Sequence, residues 1–383
     1  MKIMHLMLAC FYIDNYSYQE NLLPKYHKKQ GHDVEIVASL FTFDKNGNGM
    51  WLPKADKYVN EYGIPVTRLE FKFGKVSKML RRYVGLENEL ERFEPELIFI
   101  HGVQFCDMDV VVKYLKKHPG VKVYADNHAD FSNSAKGFVS RYVQHRVIWR
   151  RCARIINPFV TKFYGVLPAR VDFLVSEYKL PKDKVELLVM GADDESVAEA
   201  SNPQMVETIR RKYGIANDDF LIMYGGKTDN YKKQTLLLMD AVNSIDNPRL
   251  KLIVFGSVIP ELKEEIEKRC SDRVKYIGWV LAKDTYKYYA AANLACFPGR
   301  HSVFWEQVAG QGIPLLVKRW DGTTHVDCGG NVRFLVEDTM EEIKAKIEEI
   351  FSAGTYEKML ISAKNASSMF MYSEIAKRSI NVK

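Results

Sequence analysis

The sequence predicts an α/β protein made of two domains, each built around a parallel sheet. Short apolar segments alternate with amphipathic helical segments along the whole chain, which is the pattern of consecutive βαβ units. Uninterrupted apolar segments such as 97–100 indicate strands that are buried on both faces. The chain has 383 residues, and at about 100–200 residues per domain this length predicts two domains.

The first half contains six predicted strands and four predicted helices. The helix over Tyr18–Gln30 ends in three basic residues followed by Gly31, and both features favour a helix C-terminus. The other helices are predicted from apolar periodicity over Ser77–Phe93, Asp107–Lys117 and Gly137–Ala153. The predicted strands are Ile3–Ala9, Val34–Ala38, Val66–Phe71, Leu97–His101, Val121–Ala125 and Ile155–Asn157.

The second half repeats this alternation. Its predicted helices are Tyr231–Ile245, Pro260–Cys270, Thr285–Ala291, Glu306–Gly310 and Met340–Ser352. Its predicted strands are Leu221–Tyr224, Leu252–Phe255, Val274–Ile277, Leu294–Phe297 and Leu315–Val317. We place the domain boundary between residues 192 and 193, because apolar residues 185–190 give way there to a polar segment. Ligands of such sheets bind at the carboxyl ends of the strands, so we look for function there.

Composition excludes several classes of protein. The residues are 47% hydrophobic and 27% charged, as in ordinary globular domains, and no apolar run approaches the roughly 18 residues of a membrane span. The six cysteines form no Cys-x-x-Cys, which argues against a zinc ribbon or a dithiol redox site and favours reduced thiols in the cytoplasm. The apolar N-terminus is interrupted by His5, which favours a buried first strand over a secretory signal.

The positive charge is concentrated in the first half. Residues 1–190 hold 29 Lys and Arg against 21 Asp and Glu, whereas residues 191–383 hold 26 against 27. The segment from Phe131 to Val171 has no acidic residue. A basic surface attracts nucleic acid, anionic lipid headgroups or a phosphorylated substrate, and the alternative is a solvated helix face. The basic residues of this segment are Lys136, Arg141, Arg146, Arg150, Arg151, Arg154, Lys162 and Arg170.

Several well-known site motifs are missing. The sequence has no Gly-x-Gly-x-x-Gly after a strand, no complete P-loop, no Gly-x-Ser-x-Gly and no His-Glu-x-x-His. Asp107-Met108-Asp109 has the Asp-x-Asp pattern that chelates a metal–nucleotide in one class of sugar transferases. Because Asp107 precedes a predicted helix, we interpret it as a helix cap.

The first informative motif is the segment 223–233, where a buried strand ends in Gly225-Gly226. Glycines allow backbone to approach a ligand closely, and Lys227, Lys232 and Lys233 follow at the start of the next helix. Point charges on lysines, together with free backbone N–H groups, can neutralise a diphosphate. The alternative is a basic surface loop.

The second motif is the segment 297–314, in which a strand leads through a glycine-containing loop into a short helix. Glu306 lies in the first turn, where the helix dipole favours a carboxylate. A carboxylate there can accept hydrogen bonds from both vicinal hydroxyls of a ribose. A helix-capping role would equally explain Glu306.

The third motif is the polar segment 124–133, which follows a strand of the first half. His128 lies at the carboxyl end of this strand and is a candidate to bind a sugar hydroxyl or to move a proton. The alternative is a structural histidine.

With these motifs, the chain resembles a family 4 (group 1) glycosyltransferase of the GT-B fold over nearly its whole length. Gly226-Lys227 with Lys233 is similar to the basic pair that holds the donor diphosphate in that family. The other matching segments are Tyr18–Lys25, Gly31–Val34, Arg154–Ile156, Lys184–Leu187, Gly191–Asp193, Val274–Trp279 and Phe370–Ala376.

The resemblance implies two Rossmann-like domains that face each other across a cleft, with a C-terminal helix crossing back to the first domain. Residues 1–192 would bind the acceptor, residues 193–365 would bind the nucleotide-sugar donor, and residues 366–383 would form the returning segment. It implies a retaining, metal-independent transferase without a cofactor, using a UDP-sugar or, less favoured, a GDP-sugar. The acceptor would be a glycan or a lipid-linked sugar in bacterial surface polysaccharide or lipopolysaccharide biosynthesis.

The resemblance also implies roles for individual residues. The catalytic set comprises Lys227, Lys233, Glu306 and His128. The donor-binding set comprises Gly225, Gly226, Gly256, Trp279, Val280, His301, Ser302 and Val303. The acceptor-binding set comprises Tyr16, Tyr18, Gln19, Asn127 and Asn133.

The chain departs from the family pattern at the usual pair of glutamates. The first would fall at Pro298, so His301 and Ser302 would have to replace its contacts. A gapless count from Pro314 puts Gln307 in the second position, and we prefer Glu306. The missing glutamate leaves a non-catalytic GT-B partner protein as an alternative, and a nucleotide-sugar epimerase of the same fold is another.

The basic first half is predicted to contact an anionic membrane, so the protein is expected in the cytoplasm, at the inner face of the plasma membrane. One candidate surface combines Lys75, Lys78, Arg81 and Arg82 with Phe71, Phe73, Met79 and Leu80. A second places Trp149 among Arg146, Arg150 and Arg151, and the alternative is that these aromatic residues belong to the core. We do not expect nucleic acid as a partner, because no nucleic-acid motif accompanies the basic stretch.

Overall fold

The computed structural model describes residues 1–9, 11–44, 48–72, 74–352 and 354–381, and it describes Lys75 without its side chain. Cys10, Phe73 and the Lys75 side chain therefore lie outside the described part of the chain. Two compact units are present: Met1–Val189 with Ile375–Lys383, and Met190–Glu374. The first division follows Val189, three residues before the predicted boundary between residues 192 and 193. The second division lies inside the last helix, after Glu374, whereas the returning segment was predicted to begin at residue 366.

The first unit contains an eight-stranded sheet with the order β10-β9-β8-β7-β1-β2-β6-β5, in which only β5 is antiparallel to its neighbour. Strands β3 and β4 form a separate antiparallel pair. The strands are β1 Lys2–Met7, β2 Asp33–Ser39, β3 Phe41–Phe43, β4 Gly49–Trp51, β5 Asp56–Val59, β6 Pro65–Leu69, β7 Leu97–His101, β8 Lys122–Asn127, β9 Val160–Gly165 and β10 Val185–Leu187.

The helices of the first unit cover the sheet. They are α1 Gln19–Lys29, α2 Gly74–Leu80, α3 Leu86–Phe93, α4 Met108–Lys117, α5 Arg150–Ile156 and α6 Pro168–Ser176. A π-helix, Val139–Trp149, runs directly into α5, and a 3-10 turn spans Lys182–Lys184.

The second unit contains a six-stranded, entirely parallel sheet with the order β13-β12-β11-β14-β15-β16. Its strands are β11 Phe220–Gly225, β12 Leu250–Phe255, β13 Val274–Tyr276, β14 Leu294–Phe297, β15 Leu315–Lys318 and β16 Val332–Leu335. Its helices are α7 Asp194–Ala200, α8 Pro203–Lys212, α9 Gln234–Ser244, α10 Pro260–Glu267, α11 Thr285–Ala290, α12 Phe304–Gly310, α13 Met340–Phe351 and α14 Thr355–Ala366. The last helix, α15 Tyr372–Ile380, starts in this unit and ends in the first, and 3-10 turns span Ala282–Asp284 and Ser367–Phe370.

Strand burial explains why both sheets form. Every residue of β7 and of β14 is buried, as their continuous apolar sequences predict. Within β1, Met4 and Leu6 join a large apolar core, and in β7 Ile98 and Ile100 do the same. Full burial of such side chains contributes about 1.5–3 kcal/mol each.

Two predictions of secondary structure are wrong. The segment 155–157 is not a strand: Ile156 ends helix α5, and the strand lies at residues 160–165. Its short apolar run also fits the helical spacing of buried Cys152, Ala153 and Ile156, so the periodicity could not distinguish a strand from the end of a helix. The single helix predicted over 77–93 is two helices, because Arg81 and Gly85 adopt positive φ values of 53° and 86° between them.

Two predictions about side chains are also wrong. Trp149 is 5% exposed and belongs to the core, so it cannot form a surface patch with its neighbouring arginines. Asp107 is at the predicted N-cap position of α4, but its side chain makes no capping hydrogen bond. Its carboxylate instead accepts the backbone N–H of Tyr83 at 2.5 Å and lies near Lys72 and Arg82. Among the described residues, no helix has the length and hydropathy needed to span a bilayer.

Candidate functional site

The carboxyl ends of neighbouring parallel strands bring five predicted segments to one edge of the second sheet. Because β13, β12, β11, β14 and β15 are adjacent in that order, the segments that follow them lie side by side. They carry Trp279, Gly256, Lys227, His301 and His325, respectively. The edge therefore collects an aromatic ring, glycine loops, a cation and a cluster of imidazoles.

The glycines at this edge allow protein loops to approach one another. Gly256 has a φ of 122°, and a Cβ at this position would lie 2.0 Å from the carbonyl oxygen of Gly226. A Cβ on Gly225 would lie 2.2 Å from the ring of Phe255. Gly256 also donates its N–H to the carbonyl of Gly278 at 2.7 Å. The predicted role of these glycines was approach to a ligand, and the described close contacts are with neighbouring backbone and side chains.

The lysines after β11 differ in environment. Lys227 is largely exposed, with its Nζ 3.8 Å from Asp229 Oδ2, and Lys233 is exposed at the start of α9. Lys232 is half-buried. Burial lowers the pKa of Lys232, although the negative charge of Asp229 acts to raise it. A Cβ on Gly299, in the loop after β14, would lie 3.4 Å from the Lys232 Cα. Lys232 is thus the lysine that adjoins this loop, and sequence alone gave no basis for ranking it above Lys233.

The loops after β11, β14 and β15 contact one another through side chains that the sequence analysis did not select. The Arg300 guanidinium lies over the ring of Tyr231, 4.6 Å from its centroid. Trp320, from the loop after β15, donates its indole N–H to the carbonyl of Gly299 at 3.3 Å. These contacts join the two predicted donor motifs into one continuous surface.

Glu306, in the first turn of α12, is fully buried. Its Oε1 accepts hydrogen bonds from His301 Nε2 at 2.8 Å and from His325 Nε2 at 2.7 Å, whereas its Oε2 has no partner among the described residues. Burial alone would raise the pKa of Glu306, but the two imidazoles outweigh burial and hold this pKa far below its usual range. A carboxylate that is ionised at neutral pH and has one oxygen without a partner can accept a hydrogen bond from a ligand hydroxyl. His325 was missed because it lies 19 residues away from Glu306 in sequence.

Gln307 points elsewhere. Its Nε2 donates to Thr285 Oγ1 at 3.0 Å, on helix α11. The geometry therefore places Glu306, and not Gln307, toward the loops of the sheet edge. Ser302 and Val303 lie directly before α12, and the side chain of Ser302 accepts the N–H of Phe304 at 3.5 Å. Trp279 is 70% exposed, and Val280 beside it is half-buried.

In the first unit, the predicted residues around His128 gather at the end of β8. His128 Nε2 lies 3.5 Å from Asp126 Oδ1 and 3.8 Å from Glu20 Oε1. Burial lowers the pKa of His128, but the two carboxylates outweigh burial and raise it above its ordinary value. Gln19 donates to Asp126 Oδ2 at 3.1 Å, and Asn133 donates to the carbonyl of His128 at 2.7 Å. Asp126, which the sequence analysis did not select, is therefore the centre of this group.

The remaining predicted acceptor residues fall into two groups. Asn127 is fully buried: its Oδ1 accepts from Gln104 Nε2 at 2.8 Å, and its Nδ2 donates to the carbonyl of Ala129 at 2.8 Å. It therefore supports the loop instead of presenting a free amide. Tyr16 and Tyr18 have ring centroids 5.2 Å apart and are partly exposed before α1.

Two sets of three side chains within the described residues have the chemistry and spacing that a metal ion could use. They are His101, Asp126 and His128 in the first unit, and His301, Glu306 and His325 in the second. In each set the carboxylate already contacts both imidazoles, and we assign a metal to neither.

Comparison with known proteins identifies the relatives of this architecture. Residues 219–353 match the protein family described as "Glycosyl transferases group 1". A search of curated proteins finds no match. A glycosyltransferase from Rickettsia africae has a similar structure, with 13% identity, a TM-score of 0.68 and coverage of 100% of this chain and 99% of that one.

Two further structures extend the comparison. Anabaena Alr3699/HepE in complex with UDP shares 15% identity and a TM-score of 0.67, covering 99% of this chain and 98% of its own. WaaG, a glycosyltransferase involved in lipopolysaccharide biosynthesis, shares 14% identity and a TM-score of 0.59, covering 99% of this chain and 100% of its own. These structures confirm the predicted GT-B fold, and the match of residues 219–353 agrees with the predicted resemblance to group 1 glycosyltransferases.

The buried Glu306 generates a pH prediction. Since its pKa is lowered on folding, its ionisation stabilises the second unit at pH values above the ordinary glutamate range, and this contribution is lost as the pH falls below that range. We expect Glu306→Gln to cost about 1–3 kcal/mol near pH 7, by weakening two charge-assisted hydrogen bonds. Thermal melts should show the difference between wild type and Glu306→Gln shrinking from pH 6 to pH 3.5.

The control is Glu207→Gln, which changes an exposed carboxylate in the middle of α8. It should melt with the wild type at every pH. A Glu306→Gln melting curve that stays parallel to wild type across this range would contradict the assigned charge state.

Proposed function

From a GT-B chain whose second unit carries a group 1 glycosyltransferase domain, we propose a retaining transferase that moves a sugar from a nucleoside-diphosphate sugar to a glycan or lipid-linked acceptor. The observation that carries this proposal is the edge of the second sheet, where cations, glycine loops and a buried ionised Glu306 occur together. Each of these features matches a different part of a nucleoside diphosphate.

The diphosphate would bind between the loops after β11 and β14. Lys227 is exposed there, Lys232 adjoins Gly299, and Arg300 adds a third cation. Fixed positive charges stabilise the negative charge that develops on the leaving diphosphate, and such electrostatic stabilisation is usually the largest single contribution to catalysis. Glu306 would accept a ribose hydroxyl through Oε2.

A UDP-sugar is the favoured donor, with a GDP-sugar as the alternative. Trp279 supplies an exposed ring on the segment after β13, next to the glycine loop after β12. Aromatic rings of this kind stack on nucleobases, and the Anabaena protein of the same fold binds UDP. The exposed position of Trp279 supports base stacking without choosing between the two bases.

The reaction needs neither a metal nor a separate protein base in this proposal. The bond from the sugar C1 to the diphosphate oxygen breaks, and the acceptor oxygen bonds to C1 on the same face. The acceptor proton passes to the departing diphosphate oxygen. The lysines supply the charge that a divalent cation would otherwise provide. Because the diphosphate oxygen takes the proton, His128 is left to hold the donor sugar or the acceptor.

The acceptor would bind the first unit. Tyr16 and Tyr18 are partly exposed, and the Tyr16 ring makes an edge contact with Phe43, 5.6 Å between centroids. Phe43 in turn belongs to an aromatic series that continues through Phe41 to Trp51. The apolar faces of sugars pack on such rings, so this series supports a glycan portion of the acceptor.

A lipid-linked acceptor is supported by the π-helix. This helix lies within the acid-free basic segment, and apolar side chains on and next to it are exposed. Of the basic residues nearby, Arg146 pairs with Glu177, whereas Lys136 and Arg151 are exposed. Basic residues beside exposed apolar ones favour binding at an anionic membrane surface. The exposed apolar residues here are Phe138, Val139, Tyr142, Val143 and Val147. This surface, rather than Trp149, supports peripheral contact at the inner face of the plasma membrane and a role in bacterial surface polysaccharide or lipopolysaccharide synthesis.

A thermal-shift panel with UDP, GDP, ADP, CMP and their common sugars tests the donor site, first with EDTA and then with magnesium. A ligand present at a hundredfold excess over its Kd stabilises the fold by about 2.7 kcal/mol. We expect UDP and a UDP-sugar to raise the Tm by several degrees in EDTA. Lys227→Ala and Lys232→Ala should each weaken binding about tenfold or more, because a charged hydrogen bond contributes about 1.5–3 kcal/mol.

Lys263→Ala, which removes an exposed lysine from α10, should bind like wild type. A folded protein that no nucleotide stabilises would contradict the proposal and favour a non-catalytic partner protein. Free epimerised nucleotide sugar in the absence of an acceptor would instead favour an epimerase.

A further inference from the structure

Three buried histidines form a continuous chain of contacts in the first unit. His27 Nδ1 lies 3.0 Å from His5 Nε2, and His5 Nδ1 lies 2.9 Å from His101 Nε2. His101 Nδ1 lies 2.9 Å from Asp126 Oδ2. The chain therefore ends beside His128, whose Nε2 faces the other oxygen of Asp126.

The far end of the chain lies on helix α15. His27 Nε2 is 2.9 Å from Ser379 Oγ and 3.2 Å from the carbonyl oxygen of Ala376. Ser379 Oγ also lies 2.8 Å from that carbonyl oxygen, so its single proton is donated either to Ala376 or to His27 Nε2. Ala376 and Ser379 are three residues apart and share one face of the helix. These polar contacts thus run from the C-terminal helix, through α1, β1 and β7, to the end of β8, and the last of them is the close approach of His101 Nδ1 to Asp126.

The fold explains why polar rings occur inside two apolar strands. In β1 and β7, alternate residues point to opposite faces, and Met4, Leu6, Ile98 and Ile100 fill the core on one of them. His5 and His101 occupy the other face, where His5 packs 5.5 Å from the ring of Phe99. All three histidines are 0% exposed.

Burial fixes the charge of the middle of the chain. It lowers the pKa of His5 well below its ordinary value, and the neighbouring His27 and His101 lower it further. Burial likewise lowers the pKa of His27 to about 3, with the carbonyl of Ala376 opposing and His32 and His101 adding to the decrease. His5 and His27 are therefore neutral, and each has one N–H and one lone pair.

A neutral imidazole that accepts on one side must donate on the other, so the direction of one hydrogen bond fixes the next. If Ser379 donates to His27 Nε2, then His27 and His5 both carry their proton on Nδ1, and His101 donates from Nδ1 to Asp126. If His27 instead donates from Nε2 to Ala376, then His5 also carries its proton on Nε2. His101 must then be an imidazolium, because it donates at both of its nitrogens.

The two directions differ by one proton and by the charge beside Asp126. In the first, Asp126 balances the charge of His128 alone. In the second, Asp126 is shared between a charged His101 and His128. His128 is also faced by Glu20, which favours its charged form, and by Arg170, which opposes it, in either direction.

We propose that Ser379, His27, His5 and His101 are positioning residues whose hydrogen bonds reverse direction together, and that this direction sets how firmly Asp126 holds the protonated His128. The C-terminal helix thereby acts on His128 without touching it. The consequence for sugar transfer rests on the proposed role of His128, whereas the order of the hydrogen bonds does not.

The test is ¹⁵N NMR of the full-length protein with labelled histidine side chains, because ring nitrogen shifts report the tautomer of each histidine. The protein contains nine histidines, few enough for their NMR signals to be assigned by single substitutions. At every pH at which the protein is folded, His5 and His27 should share one tautomer. Near pH 8 we expect the Nδ1–H form, which is the less common tautomer in free histidine. Opposite tautomers for His5 and His27 would overturn the proposal.

A substitution at the far end tests the action on His128. Ser379→Ala removes the hydroxyl donor and leaves His27 Nε2 facing only the carbonyl of Ala376. We expect His5 and His27 to switch to the Nε2–H form, His101 to become doubly protonated, and the NMR midpoint of His128 to fall. Ser379→Thr keeps the hydroxyl and should restore the wild-type pattern.

The matched control is Ser134→Ala. Ser134 Oγ lies 2.9 Å from Nε2 of His145, a buried histidine of the same unit that does not belong to the series His27, His5 and His101. It should change the signals of His145 and leave those of His128 unchanged. A folded Ser379→Ala whose His128 midpoint equals that of wild type would also overturn the proposal; should this variant fail to fold, the tautomers of wild type still decide it. These NMR outcomes do not depend on transferase activity, so the proposed function can fail independently.

Discussion

Parallel strand pairing is the constraint on which the rest of the second unit depends. It places the carboxyl ends of five neighbouring strands at one edge, so that segments far apart in sequence become neighbours. His325 reaches Glu306 only because β14 and β15 are paired. Lys232 reaches Gly299 because β11 and β14 are paired. The local chemistry of each loop is simple, and the site results from their adjacency.

The same constraint produces a buried polar interior in the first unit. His5 and His101 lie on paired strands, with His5 opposite Phe99 in register. Asp126 on the next strand supplies the charge that terminates the chain of imidazoles. Polar groups at these positions would be costly without partners, since burying an unsatisfied polar group costs about 1–3 kcal/mol. Each unit thus places one ionised carboxylate between two imidazoles at the ends of parallel strands.

The alternation of strands and helices, and hence the fold class, could be predicted from the sequence because buried parallel strands leave long apolar runs. Failures occurred where that signal is ambiguous. Residues 155–157 are apolar and fit either period, and the break between α2 and α3 depends on a positive φ at Arg81, a residue type that rarely adopts it. Glu306 and His128 were selected because each follows a strand. Asp126 and His325 could not be selected, because their importance depends on contacts across the sheet.

The central claim is that the edge of the second sheet binds a nucleoside diphosphate. A crystal structure of the protein with UDP tests it most directly. The account predicts the diphosphate between Lys227, Lys232 and the loop at Gly299, with the ribose hydroxyls on Oε2 of Glu306. Clear density for UDP away from this edge, with Glu306 Oε2 still unpartnered, would contradict it.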